Sequence, residues 1–228
     1  MKNTAIVTGA SSGIGREISR VLVEMGYEVY GFGREFPEEE VYFHPIVCDL
    51  LNTPELERQI KEIRRRNDVS LLVNNAGVGY YGLHEELNVQ KIQKLVRTNL
   101  EVPMVLTNLL LRDLKKYSGT VINISSVTAQ LSNPHGCAYG ATKAGLSSFS
   151  RSLFDEVRKY GVRVVTIQPD MTKTDLYRNA DFAQGEEEAS YLLPEEIAET
   201  VRNILQMREG TVVTEITLRP QIHRIRRK

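Results

Sequence analysis

Short apolar runs alternate with amphipathic stretches along almost the whole chain. Thr4 to Thr8 is apolar and stops at Gly9. From about Gly13 to Met25, the apolar residues Ile14, Ile18, Val21, Leu22 and Met25 recur at helical spacing, and Gly26 ends the stretch. Val29 to Phe32 and Ile46 to Cys48 predict the second and third strands. Thr53-Pro54-Glu55 predicts a helix start, with threonine at the cap and proline at the first helical position. Leu71 to Val73 predicts a fourth strand, and one long helical stretch runs from about Glu86 to Lys116. Then come a strand at Thr120 to Ile124, a helix at Tyr139 to Tyr160, a strand at Val162 to Ile167, a helix at Pro194 to Met207 and a last strand at Thr211 to Leu218. Strands this apolar, separated by helices, predict an α/β fold with a parallel sheet covered on both faces.

Two segments break the alternation. Residues 175 to 193 have no clean period and contain Glu186-Glu187-Glu188. Following the sixth strand, they read either as a mobile lid over a site or as a solvated loop. Residues 219 to 228 form a basic tail, Arg219 to Lys228, with five Lys or Arg residues. An accessory nucleic-acid role for this tail lacks aromatic interleaving.

At 228 residues the chain suits one domain with a sizeable core. The 29 basic and 29 acidic residues balance, which argues against nucleic acid or a membrane surface as the main partner. The two cysteines, Cys48 and Cys137, build no disulfide framework, and His44, His84, His135 and His223 show no ligand spacing, so no metal is expected. The first apolar run begins too early to leave room for a signal peptide, and none reaches the ~20 residues of a membrane span. A reduced, cytoplasmic protein is the expectation.

Three features carry candidate chemistry. Thr8-Gly9-Ala10-Ser11-Ser12-Gly13-Ile14-Gly15 joins the first strand to the first helix. Glycines there allow a tight turn and close approach of a pyrophosphate, and the helix start offers unpaired N–H groups. The alternative is a glycine-rich turn with no ligand, and a strand before and a helix behind weigh against it. Second, Tyr139 and Lys143 stand four apart, one helical turn from each other. An ammonium near a phenol favours the phenolate; at about 4 Å and an effective dielectric of 20 the attraction is roughly 4 kcal/mol, or about three pKa units. Such a pair suits proton transfer on a carbonyl or alcohol oxygen. Third, Ser126 lies thirteen residues before Tyr139.

With Asn74-Asn75-Ala76-Gly77 and Asn99 in the same order, these motifs make the chain resemble the short-chain dehydrogenase/reductase family in its single-domain form. The resemblance implies a doubly wound Rossmann-type sheet of seven strands, ordered 3-2-1-4-5-6-7. It implies a nicotinamide cofactor held by Gly9, Ser11, Ser12, Gly13, Ile14, Gly15, Asp49, Leu50, Asn75, Ala76, Gly77, Tyr139, Lys143, Pro169, Thr172 and Thr174. Tyr139 would be the general acid/base and Ser126 a hydrogen-bond partner of the substrate oxygen. Lys143 would lower the phenol pKa and bind the nicotinamide ribose, and Asn99 would hold a water behind Lys143. Gly33 stands where NAD-specific relatives carry an acid, and Arg34 follows with a fork suited to a 2′-phosphate, so NADP is favoured over NAD. Ser12, where some NADP-dependent relatives are basic, and Glu35 pull the other way. Asp170 departs from the family's glycine after the sixth strand, and it reads either as a selector of a basic substrate group or as a solvated acid. The implied reaction is NADP(H)-dependent interconversion of a carbonyl and an alcohol. The alternatives are an NAD-dependent hydroxy-acid or sterol dehydrogenase, and a catalytically silent cofactor-binding regulator. The resemblance further implies a homodimer or homotetramer.

Overall fold

The computed structural model describes residues 3–36, 42–178 and 180–228. Strands β1 (Thr4–Thr8), β2 (Glu28–Gly33), β3 (His44–Val47), β4 (Val69–Asn74), β5 (Thr120–Ile124), β6 (Arg163–Pro169) and β8 (Glu215–Leu218) form one parallel sheet in the order β3-β2-β1-β4-β5-β6-β8. This is the predicted order with an extra short strand, β7 (Phe182–Gln184), inserted before the last one. Every residue of β1 and β5 is buried, as continuous apolar strands require when helices cover both faces.

Two apolar layers flank the sheet. On one face, α1 (Gly13–Glu24) and α6 (Pro194–Leu205) press Ile18, Val21, Leu22, Ile197, Val201 and Ile204 onto β1, β4 and β5. On the other, α2 (Thr53–Arg66), α4 (Val102–Lys116) and α5 (Cys137–Val157) bury Leu56, Ile60, Leu106, Leu110, Leu114 and Leu153. The spacing of Leu106, Leu110 and Leu114 places them on one stripe of α4, all inaccessible to solvent. Full burial of each is worth about 2 kcal/mol.

Two local predictions change. The cap of α2 is Asn52, whose side chain accepts from the Glu55 amide at 3.3 Å, so Thr53 is already helical and Pro54 follows it. The long helix expected over residues 86 to 116 is broken. It comprises a 3-10 turn at His84–Glu86, α3 (Val89–Val96), a π turn at Arg97–Glu101 and α4. Asn88 caps α3 by accepting from the Lys91 amide. The π turn has its reason in Pro103, which has no N–H to give to the carbonyl of Asn99 four residues before it.

Residues 175 to 193 are not one loop. They contain 3-10 turns at Asp175–Tyr177 and Glu188–Ser190 with β7 between them; residue 179 lies outside the described set. The basic tail contains a strand, β9 (Ile225–Arg227), antiparallel to β7.

Candidate active site

The carboxyl ends of β1, β2, β4, β5 and β6 open into a cavity of about 990 Å³. All the sequence-predicted cofactor and catalytic residues line it except Gly15 and Asn99. At one end is the glycine-rich turn. Gly9 and Gly13 have φ of +66° and +53°, a region that side chains rarely adopt. A Cβ on Gly9 would stand 2.9 Å from the Cα of Ala76, and one on Gly13 would stand 3.2 Å from Cγ2 of Thr174. Gly15 has a different task. A Cβ there would collide with the Gly9 carbonyl, so this glycine lets α1 start directly against the turn. Gly15→Ala is expected to cost about 2–4 kcal/mol in stability, measurable by urea unfolding, because backbone rather than a side chain must yield.

Asn75 holds the turn from behind. Its side-chain amide donates to the carbonyls of Thr8 at 2.9 Å and Gly9 at 3.2 Å. The Thr8 hydroxyl accepts from the amides of Asn75 and Ala76, both at 3.0 Å. Asn75 therefore faces the cavity but spends its side-chain amide on the turn, and Thr8, the first residue of the glycine-rich motif, locks β1 to β4. At the start of α1, Ser12 makes no side-chain cap and no acid lies in the first turn. These N–H groups and the positive helix end suit a pyrophosphate. The residues present fit a dinucleotide.

Asp49 lies on the cavity wall, and its Oδ1 also accepts from the Leu51 amide at 3.0 Å, so it caps the turn after β3 as well. Gly33 packs closely. A Cβ there would come within 2.9 Å of the Phe36 ring and 3.1 Å of Ser11 Cβ. Arg34 is exposed at the rim and makes no ion pair among the described residues. Gln90, Gln93 and Lys94 of α3 complete a wall that the sequence did not mark, because they read there as the polar face of a helix.

At the other end, Ser126 follows β5 and caps the 3-10 turn at Val127–Ala129, while Tyr139 and Lys143 project from the first two turns of α5; all three are buried. A buried ladder sets their relative position. Ser125 donates to the Lys143 carbonyl at 3.0 Å and shares a 2.8 Å hydrogen bond with Ser147. Asn74 donates to Asn123, and Asn123 to Ser150, both at 2.8 Å. These bonds fasten α5 to the ends of β4 and β5.

The electrostatics differ from the simple pair expected. Burial pushes the Tyr139 phenol up to about 12, while a hydrogen bond with Ser126 acts in the opposite direction. Burial lowers Lys143 to about 8. The lysine Nζ lies 5.8 Å from the Tyr139 ring centre and donates to the Ile124 carbonyl at 2.8 Å. The chain alone thus holds a neutral phenol beside a weakly basic amine, and burial outweighs the predicted lowering of the phenol pKa.

Asn99 sits behind this group. Its side chain donates to the Val78 carbonyl at 3.0 Å and to the Thr142 hydroxyl at 3.2 Å, and it accepts from the Val78 amide at 2.9 Å. A Cβ on Gly77 would be 3.6 Å from both Asn99 Oδ1 and Lys143 Nζ. Asn99 therefore borders the lysine without lining the cavity.

Asp170 is not free for a basic substrate group. Its Oδ2 accepts from Arg219 at 3.0 Å and its Oδ1 from the Met171 amide at 2.8 Å. His135 and Cys137, on the segment between Ser126 and Tyr139, are both exposed and do not line the cavity. Tyr80 lines the cavity, and Tyr81 packs against Tyr139 with ring centres 5.7 Å apart and planes tilted by 47°.

Comparison with known proteins agrees with this geometry. The short chain dehydrogenase family matches residues 3–184. The chain is 34% identical over 184 residues to a serine 3-dehydrogenase of Agrobacterium fabrum, covering 77% of this chain and 74% of that one. It is 32% identical over 191 residues to an NADPH-dependent 3-dehydrocapnine reductase of Ornithobacterium rhinotracheale, covering 77% and 68%. Its fold is similar to that of an alcohol dehydrogenase from the archaeon Thermococcus sibiricus complexed with 5-hydroxy-NADP, with TM-score 0.86, 28% identity, and coverage of 98% and 99%. A glycine turn that fits a dinucleotide, a tyrosine, lysine and serine gathered at the far end of one cavity, and these matches lead to one conclusion: the chain belongs to the short-chain dehydrogenase/reductase family and is an oxidoreductase.

Proposed function

We propose that the protein is an NADP(H)-dependent reductase of a carbonyl compound, running in reverse as an alcohol dehydrogenase. The observation that carries this reading is the buried Tyr139 phenol in one cavity with Ser126 and the glycine turn, with Lys143 one helical turn away. When bound, the reduced nicotinamide supplies the hydride that a carbonyl carbon takes up. Ser126 donates to the carbonyl oxygen and orients it. Tyr139 gives its hydroxyl proton to that oxygen as the carbon is reduced, and Lys143 stabilises the phenolate left behind. Gly9, Ser11, Ser12, Gly13 and Ile14 hold the pyrophosphate. Asp49, Leu50, Ala76 and Gly77 enclose the adenosine side, and Pro169, Thr172 and Thr174 the nicotinamide side.

The preference for NADP rests on Gly33, Phe36 and Arg34. An acid at position 33 would press on the Phe36 ring, and Arg34 stands exposed on the wall of the cavity that Ser11 and Ser12 also line. The 32% identical relative named NADPH-dependent and the 28% identical structure carrying 5-hydroxy-NADP support it. Arg34→Ala is expected to weaken NADPH by about 1.5–3 kcal/mol, the worth of one charge-assisted contact, and to leave NADH nearly unchanged. Titration of both cofactors by fluorescence checks this; equal affinities in the unmodified protein would remove the preference.

A second reading, NAD-dependent oxidation of a hydroxy acid, has support in the relative named serine 3-dehydrogenase. NADPH consumption across ketones, diketones, sugars and keto acids, run beside NAD reduction with hydroxy acids, separates the two. With the proposal go a cytoplasmic location and a homodimer or homotetramer joined through the helices of Asn99 and Tyr139. Light scattering of the purified chain tests the assembly.

A further inference from the structure

Tyr139 is buried because aromatic rings cover it, and those rings are tied to the end of the chain. Tyr81 contacts Tyr139, and Tyr177 and Phe182 contact Tyr81 with ring centres 5.9 Å and 5.0 Å away. Tyr177 and Phe182 also meet each other at 5.5 Å. Both stand on the segment after β6, in its first 3-10 turn and in β7.

That segment is gripped along its length by the tail. β9 pairs with β7, Phe182 opposite Arg227, Ala183 opposite Arg226 and Gln184 opposite Ile225. The ladder extends at both ends: the Gly185 amide donates to the Arg224 carbonyl at 3.1 Å, and the Lys228 amide to the Asp181 carbonyl at 2.8 Å. Lys228 Nζ donates to the Tyr177 carbonyl at 2.7 Å and the Arg178 carbonyl at 3.3 Å. Arg224 pairs with Glu187, and Arg226 with Glu186 at 3.6 Å. Nearer the sheet, the Ile222 amide donates to Ala189, and Arg219 pairs with Asp170. The acidic run and the basic tail, unrelated in the sequence, are complementary halves of one contact.

All three residues of β9 are exposed, so the strand adds little to the core. A strand that buries no apolar side chain yet spends its backbone and its cations on one segment acts on that segment. We propose that β9 is a positioning element of the substrate pocket, holding the segment after β6 so that Tyr177 and Phe182, with Tyr81, form an aromatic wall against Tyr139. Asp170 and Arg219 anchor the strap at its root. The three rings pack at 32° to 75° to one another, Tyr177 lines the cavity in front of the other two, and the nearby Asp170 carboxylate is already paired with Arg219. The pocket therefore favours a carbonyl compound with an apolar or aromatic flank over a cationic one. The proposal rests on the carbonyl-reducing reading of the site.

Register supplies the test. The bonds at Gly185–Arg224 and Lys228–Asp181 make Ala183–Arg226 the hydrogen-bonded pair between them, and the Arg227 amide points away from β7. Arg226→Pro removes a ladder bond; Arg227→Pro removes the same charge and no ladder bond. Both variants, and a chain ending at His223, are compared with the unmodified chain. The readouts are hydrogen exchange, NADPH affinity by fluorescence, and kinetics on whichever compound of the screen is reduced. Arg226→Pro and the shortened chain should speed exchange of the amides of residues 181 to 185 and raise KM about tenfold, with kcat changed less and NADPH affinity kept within about twofold. Arg227→Pro should match the unmodified chain. Unchanged exchange in Arg226→Pro overturns the proposal, as does an unchanged KM despite faster exchange, or a parallel loss of NADPH affinity. If the unmodified chain reduces no carbonyl compound, the functional reading falls, and the strap is judged by exchange alone.

Discussion

Tyr139→Phe should leave NADPH binding and stability close to those of the unmodified protein while turnover falls by at least about 10²–10⁴-fold, the usual worth of general acid–base assistance. The ring stays, so its contact with Tyr81 stays; only the hydroxyl is lost. The pH behaviour separates the proton's role from a packing role. In the chain by itself the phenol titrates at about 12, raised by burial. Folding therefore favours the protonated phenol, and this contribution is complete below the ordinary tyrosine value of 10.0 and lost as pH rises toward about 12. Ultraviolet difference titration of the unmodified chain against Tyr139→Phe should show no extra phenolate below pH 10. If the phenolate is the base in the oxidation direction, the rate with saturating cofactor should nevertheless rise through a pKa well below that of a free phenol. The shift must then arise in the loaded site, where burial is balanced by new charge and hydrogen bonds. Near-normal turnover of Tyr139→Phe would end the proposed mechanism.

Lys143→Met should stabilise the fold at neutral pH and nearly abolish turnover. Burial lowers Lys143 to about 8 from an ordinary 10.5, so the folded state holds its proton less tightly than the unfolded chain does. The sign follows: unfolding takes up a proton between those values, so stability rises with pH across that window and the full cost of the buried charge is present below pH 8. The shift corresponds to about 3 kcal/mol, and losing the bond to the Ile124 carbonyl returns about 1 kcal/mol. A net gain of about 2 kcal/mol is expected near pH 7, or about 5 °C in Tm for a chain of this size. The gain should shrink steadily toward pH 10.5. Turnover should fall by about 10²-fold or more, and NADPH should bind about tenfold more weakly, because one ammonium is proposed to serve both phenolate and ribose. A Tm that falls at pH 7, or that rises equally at all pH values, would show that the buried lysine is not the strain this structure implies. A stabilising substitution that destroys activity is the signature of a group kept for chemistry.

The main elements were legible because their causes are local. Apolar strands separated by helical periods are enough to predict a parallel sheet, and Gly9, Gly13 and Gly15 mark a strand-to-helix turn without reference to the rest of the chain. The four-residue step from Tyr139 to Lys143 fixes one face of α5 wherever that helix lies. The break in the helix after Asn99 was within reach too, through Pro103, but the apolar period on both sides concealed it. Short irregular pieces were not legible. Residues 175 to 193 have no period because their order comes from partners distant in sequence.

By itself the sequence determined the alternation of strands and helices, the glycine-rich turn and the placing of Tyr139 and Lys143 on one helix face, since each depends on residues within a few turns of one another. Only the tertiary structure decided their electrical state and their surroundings. The ammonium donates to the Ile124 carbonyl and, like the phenol, is governed by desolvation, a property of packing that no spacing reveals. Asp170 was ambiguous until Arg219, forty-nine residues later, was found against it. The acidic run and the basic tail each resembled a solvated charge cluster, and folding made them partners, because charges and backbone edges take their meaning from what the chain brings opposite them.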